Sequence, residues 1–210
     1  MKVLLISASQ RPDSNSASIS QLIQKIPVLN TDDVETDILD LSLLPELLEH
    51  YGILHNENAA LLSKKQQVLD KLYQCDAVVF VVPEWGGMIP PALVNLLLLT
   101  ANGSAGGLPL GHKPAFAIGI SASGGGSNPI SLLKAYAAKN SHLVWLPLHA
   151  IVQNVDEFLS QSWQPEAEGR YANVQSRIDV GLASLLVYAK QLKEVREQLV
   201  ELSIKHPFGQ

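Results

Sequence analysis

Short apolar runs along the chain predict four buried strands. They cover residues 2–7, 77–82, 114–120 and 143–152, and each is rich in valine, isoleucine, leucine, phenylalanine or alanine. Apolar residues follow one another in these runs more than they alternate with polar ones, which is typical of parallel strands covered on both faces. Residues 34–41 alternate better and carry fewer apolar side chains. This pattern predicts a fifth strand nearer an edge of the sheet.

Helical stretches separate the predicted strands. They cover residues 16–26, 59–73, 90–101 and 129–138. Strands that alternate with helices over a whole chain indicate βαβ crossovers and a doubly wound α/β sheet. We therefore predict a five-stranded parallel sheet of order 2-1-3-4-5 between two helical layers, a three-layer sandwich.

A long helix is predicted at the end of the chain, over about residues 174–205. Apolar side chains recur there in steps of three and four, at Leu185, Tyr188, Leu192, Val195, Leu199 and Leu202. Such a helix is about 45 Å long, more than a sheet of this size covers. We expect its far end to meet another subunit, in a homodimer or homotetramer. The alternative is an amphipathic helix that lies on its own domain and then frays.

Composition narrows the class of protein. The 210 residues fit one domain spanning 1–210, and a hydrophobic content of 47% supplies a core. The net charge of -5, without a basic stripe, argues against nucleic acid as a partner.

We see neither a leader peptide nor a bilayer-spanning run, so we expect a cytoplasmic protein that is not in a membrane. The single cysteine, Cys75, excludes an internal disulfide and fits a core role.

A hydroxyl-rich loop follows the first strand and leads directly into a helix. Its polar residues include Ser9, Arg11, Ser14, Asn15 and Ser16. Free N–H groups at a helix start, hydroxyl donors and one arginine together suit a terminal phosphate. The loop contains no glycine, whereas the loops that bind diphosphates need several. The alternative is that Ser14 or Asn15 only caps the helix.

Glycine-containing loops follow the third and fourth strands. The first loop carries Trp85, Gly86 and Gly87. The two glycines let the backbone approach a flat ligand closely, and Trp85 supplies an aromatic face for it. The alternative is a simple glycine turn. The second spans residues 121–129, and its N–H groups could donate to the carbonyl-rich edge of a flavin ring. Alone, this second loop also fits a flexible connection.

In these three loops the chain resembles the NAD(P)H-dependent FMN reductase family, whose motifs run roughly GSxRxxSxN, PEYNxxxPxxLKN and SxxGG. The first motif matches at Ser9, Arg11 and Ser14, with Ala8 and Ser16 in place of the family's glycine and asparagine. The second motif is the most specific, and it matches at Pro83, Glu84, Pro90, Leu93 and Asn95. The resemblance covers about residues 1–140.

Two of the substitutions in the second motif lie in the loop after the third strand. Trp85 replaces a tyrosine and Gly86 replaces an asparagine. Compared with asparagine, Gly86 lacks the side-chain amide but still has the backbone N–H. These changes bear on the tuning of the ring and on the fit of the second substrate.

The resemblance implies a flavodoxin-like fold and an FMN-dependent oxidoreductase. It implies hydride transfer from NADPH or NADH through FMN to a small acceptor, such as a quinone, azo compound, metal ion or free flavin. No catalytic side chain is then expected, because the flavin carries the chemistry. The implied phosphate site is Ser9, Arg11, Ser14 and Ser16, and Arg11 could also meet the phosphate of the nicotinamide cofactor. The implied ring site comprises Pro83, Glu84, Trp85, Gly86 and Gly87, closed on the other side by Ser121, Ser123, Gly124 and Gly125.

Other functions stay open at this level. The protein could be an FMN-binding electron carrier or regulatory subunit without reductase activity, or a degenerate domain without FMN. A serine hydrolase would use Ser121 or Ser123 with His149 or His206, but the sequence around these serines departs from GxSxG.

Two polar regions receive no chemical role. A metal site at Glu46, Glu49, His50 and His55 lacks a known ligand spacing, so a solvated face is expected. Residues 154–173, which include Trp163, could form a flap or an ordinary surface loop.

Overall fold

The computed structural model describes residues 1–46, 59–161 and 169–208. Its central sheet is parallel and has the order β2-β1-β3-β4-β5, with β6 also paired to β4. The strands are β1 (Lys2–Ser7), β2 (Glu35–Asp40), β3 (Ala77–Pro83), β4 (Pro114–Ile120), β5 (Val144–Trp145) and β6 (Ala150–Val152). The predicted α/β class and strand order are confirmed, and the architecture is flavodoxin-like.

The last predicted strand, residues 143–152, is two short strands. β5 pairs with the start of β4, where Pro114 lies beside Val144, and β6 pairs with its end, where Ile118 lies beside Ala150. Pro147 lies between them and has no N–H to donate to a ladder, so the strand is interrupted there.

Helices cover both faces of the sheet. They are α1 (Asn15–Gln24), α2 (Ala59–Gln74), α3 (Pro91–Leu99), α4 (Asn102–Ala105), α5 (Ser127–Ser141), α6 (Val155–Gln161) and α7 (Gly169–Ser203), with a 3-10 turn at Leu41–Leu43. The five predicted helices are present, with their ends shifted by a few residues. The short helices α4 and α6 were not predicted.

The two helical layers follow from the alternation of side chains along each strand. In β1, Leu4 and Ile6 face one cluster of buried residues, which includes side chains of α2, α3 and α5. Val3 and Leu5 face a second cluster, formed with α1, α6 and α7. Because successive strand residues point to opposite faces, a run that is apolar throughout is buried on both sides.

The long helix α7 lies on its own domain for much of its length. Gly181 packs on the buried ring of Phe116 in β4, and Lys193 and Arg196 pair with the carboxylate of Asp76 beside the start of β3. Val187 and Leu202 of this helix are 65% and 55% exposed. The helix therefore has an inner face that contacts its own sheet and apolar side chains on its outer face.

Some expectations fall on residues outside the described ranges. Of the four residues considered as metal ligands, only Glu46 is described, and it pairs with Lys64. Within the described ranges, no group of three or more potential ligands is placed to hold a metal ion. Trp163 also lies outside them, whereas the start of the 154–173 stretch forms α6. None of the helices in the described parts of the chain is long and apolar enough to cross a membrane.

Candidate functional site

A cleft lies at the carboxyl ends of β1, β3 and β4, where the three predicted loops converge. It is lined by Ser9, Arg11, Ser14, Asn15, Ser16, Pro83, Glu84, Trp85, Ile120, Ser121, Ala122 and Val155. Nine of the fourteen residues predicted for the site are in this lining. The other five, namely Gly86, Gly87, Ser123, Gly124 and Gly125, belong to the same loops but do not line the cleft. The loops meet because parallel strands end at the same edge of a sheet.

The first loop is ordered by its own hydroxyl groups. The buried Ser9 Oγ accepts a hydrogen bond from the N–H of Arg11 at 3.2 Å. Ser14 has extended backbone angles, and its Oγ accepts from the N–H of Ala17 at 3.3 Å, so it is the N-cap of α1. Ser14 therefore caps the helix, and the same residue also lines the cleft.

Ser16 is an unsatisfied polar group in the first turn of α1. Its side chain is fully buried, and its Oγ has no hydrogen-bond partner among the described residues. A buried hydroxyl without a partner is costly, and an anion at a helix N-terminus would supply one. Asn15 differs, because its side-chain amide donates to Asp156 at 3.0 Å and so joins α1 to α6.

The second loop contains a two-residue turn. Trp85 and Met88 exchange backbone hydrogen bonds of 2.9 and 3.0 Å across Gly86 and Gly87. The two glycines have φ values of +58° and +82°, as a hairpin turn with two left-handed residues requires. Asparagine, the residue of the resembling family at the position of Gly86, also tolerates this conformation. The substitution therefore preserves the backbone path.

Trp85 forms a wall of the cleft next to Arg11. The guanidinium of Arg11 lies over the indole ring, 5.1 Å from its centroid. This is within the range of a cation–π contact. The indole Nε1 is buried and has no partner among the described residues. An aromatic wall, a cation and an unsatisfied donor thus lie at one side of the cleft.

The third loop is fixed by packing against Glu84. Glu84 accepts a hydrogen bond from the N–H of Gly126, and a Cβ on Gly125 would lie 2.7 Å from its carboxylate. A Cβ on Gly119, at the end of β4, would lie 2.1 Å from the Gly126 carbonyl oxygen. The close contacts of neighbouring atoms therefore explain why glycine stands at positions 119 and 125 better than a flexible loop does.

Three lining residues were missed by the sequence analysis. Ile120 and Ala122 flank Ser121, and Val155 follows the last strand of the sheet. Ligands of parallel α/β sheets bind beyond the carboxyl ends of the strands. Because this also holds for the loop after β6, Val155 could have been predicted. The cleft lining includes neither His149 nor His206, so the described residues give Ser121 no histidine base.

Comparisons with known proteins identify the family. The sequence profile described as NADPH-dependent FMN reductase matches residues 1–157. The chain belongs to this family. It is therefore an NAD(P)H-dependent flavoprotein oxidoreductase, with FMN as cofactor and NAD(P)H as co-substrate. No curated protein matches the chain significantly.

Solved structures share the fold of this FMN reductase at low sequence identity. An oxidoreductase from Corynebacterium diphtheriae is 15% identical with a TM-score of 0.66, covering 90% of this chain and 97% of its own. FerB, an NAD(P)H:acceptor oxidoreductase from Paracoccus denitrificans, is 18% identical with a TM-score of 0.63, covering 92% and 97%. The NADH:FMN oxidoreductase EmoB is 16% identical with a TM-score of 0.64, covering 87% and 89%.

Proposed function

We propose that this FMN reductase passes electrons from NAD(P)H through FMN, held in the cleft described above, to a small acceptor. The acceptor classes are quinones, azo compounds, metal ions and free flavin. When bound, FMN supplies the redox chemistry by accepting hydride from the nicotinamide and passing two electrons on. The chain's own residues bind and orient the reactants.

The buried Ser16 hydroxyl is the observation that carries the proposal. It lies in the first turn of α1 without a partner among the described residues, and Arg11 lines the same cleft. Three phosphate oxygens of FMN would satisfy this hydroxyl and the free N–H groups of the helix start. The residues present therefore fit the phosphate end of FMN.

The ring end of FMN would lie against Trp85. Its indole supplies a flat apolar wall, and the adjacent peptide groups of the third loop supply hydrogen-bond donors. Because the ring carries the redox chemistry, the site needs no acid–base pair.

The binding claim is tested with two flavins. Riboflavin lacks the phosphate, so Arg11→Ala should weaken FMN by about tenfold or more and riboflavin little. Fluorescence titration of the FMN-free protein measures both affinities. Equal losses for the two flavins would contradict a phosphate role for Arg11, and wild-type protein that takes up no FMN would contradict the proposal.

Anaerobic reduction separates a reductase from an electron carrier. NADPH or NADH should bleach the visible absorption of the FMN-loaded protein, and an added quinone or azo dye should restore it. Colour that persists with both nucleotides would favour the carrier.

We further propose that the protein forms a homodimer or homotetramer. The exposed apolar side chains of α7, among them Val187 and Leu202, support this assembly, because such residues are often buried against a partner. Light scattering of wild-type protein and of Val187→Glu tests it. A wild-type protein that is monomeric at micromolar concentration would refute it.

A further inference from the structure

The third loop is held from the side opposite Glu84. Gln153, which follows β6, donates from its side-chain amide to the carbonyl oxygens of Gly124 and Gly125, the second at 3.4 Å. The N–H of Asn154 donates to the carbonyl of Ser123 at 3.1 Å. Three consecutive carbonyl groups of the loop are therefore bound by residues 153 and 154.

These contacts fix the direction of the loop's N–H groups. In a planar trans peptide the C=O and the following N–H point in opposite directions. The N–H groups of Gly124, Gly125 and Gly126 therefore point away from Gln153. The N–H of Gly126 donates to Glu84, a residue that lines the cleft, which shows that this opposite side is the cleft side.

Two of these donors are unused. Within the described parts of the chain, the N–H groups of Gly124 and Gly125 donate to no acceptor. A Cβ on Gly124 would meet nothing within 4 Å, so the space beside Gly124 is open, whereas the carboxylate of Glu84 lies beside Gly125. A ligand with carbonyl acceptors can reach donors of this kind without displacing protein atoms.

We propose that Gln153 is a positioning residue that turns the N–H groups of Gly124 and Gly125 towards the carbonyl-rich edge of the bound flavin ring. This inference rests on the proposed function, since it assumes that the ring lies in the cleft. Gln153 is not among the residues that line the cleft. It acts through the two glycine carbonyls that it binds.

The flavin ring gives the test a signature of its own. FMN and riboflavin share the ring, so Gln153→Ala and Gln153→Glu should weaken both by the same factor, about tenfold. This contrasts with Arg11→Ala, which should weaken FMN alone. The variants should also lower the reduction potential of bound FMN, because donors at the carbonyl edge stabilise the more negative reduced ring.

Matched controls separate positioning from folding. Gln153 is exposed, so both variants should unfold at the wild-type denaturant concentration when FMN is absent. Gln198 is an exposed glutamine on α7, and Gln198→Ala and Gln198→Glu should keep wild-type affinities and potential. If Gln153→Glu does not fold, Gln153→Ala carries the same expectation without an added charge.

The outcomes distinguish this inference from the proposed function. Wild-type protein that binds neither flavin refutes the proposed function and this inference with it. Wild-type protein that binds both, with Gln153 variants of unchanged affinity and potential, refutes this inference alone. Loss of FMN affinity without loss of riboflavin affinity also overturns it.

Discussion

Replacing Gly119 by alanine should disturb both the sheet and the cleft. The added Cβ would lie 2.1 Å from the carbonyl oxygen of Gly126 and 3.1 Å from a side-chain carbon of Ile130. The carbonyl would have to move by about 1.3 Å to reach an ordinary contact distance. It belongs to backbone that also donates to Glu84, so it cannot turn aside as a side-chain end does.

The expected loss of stability is about 2 kcal/mol. Overpacking a well-packed core typically costs about 1–3 kcal/mol. Alanine recovers about 0.5–1 kcal/mol relative to glycine, because it loses less conformational freedom on folding. The clash is with backbone, which places the cost at the upper end of its range. FMN affinity should also fall by about tenfold, since Gly126 directly follows Gly124 and Gly125, whose N–H groups are the proposed donors to the flavin ring.

Urea unfolding of the FMN-free protein measures the effect on stability, and fluorescence titration measures the effect on FMN. The matched control is Gly124→Ala in the loop that contains Gly126, because its Cβ would meet nothing within 4 Å. This control should unfold at the wild-type urea concentration or slightly above it, because alanine loses less conformational freedom than glycine on folding. If Gly119→Ala and Gly124→Ala unfold at the same urea concentration, the close approach of β4 to Gly126 is not what determines stability here.

Three further predictions test other parts of the molecule. Ser16→Ala removes a buried hydroxyl without a partner, so the urea midpoint of the FMN-free protein should stay the same or rise, whereas FMN should bind about tenfold more weakly. A lower midpoint would contradict this. Gly181→Ala would place a Cβ 2.3 Å from the buried ring of Phe116. Calorimetry should therefore show a destabilisation of about 1–3 kcal/mol. An unchanged Tm would refute this packing of α7 on the sheet. Burial lowers the pKa of Lys113 from 10.5 to about 8, so the unfolded chain binds more protons between these pH values. Its contribution to the free energy of unfolding should therefore rise with pH across this window, and urea titrations of wild type and Lys113→Met should differ by that rise.

The sequence determined the sheet and the general position of the site. Continuous apolar runs predict buried parallel strands, and the loops after the first, third and fourth strands carry the polar and glycine residues of the cleft. The topology then brings these loops together, because parallel strands end at one edge. Ser9, Arg11, Ser14 and Ser16 could be found in this way because they lie in one short segment beside a helix start.

Only the tertiary structure decided how the site is braced. Glu84 contacts Gly126, 42 residues away, and Gln153 contacts Gly124, 29 residues away. Such contacts depend on the register of neighbouring strands and on side-chain direction, which hydrophobic pattern does not specify. The unsatisfied state of the Ser16 hydroxyl is likewise a property of packing. Local pattern therefore placed the loops, whereas long-range packing determined which of their polar groups are left free to bind a ligand.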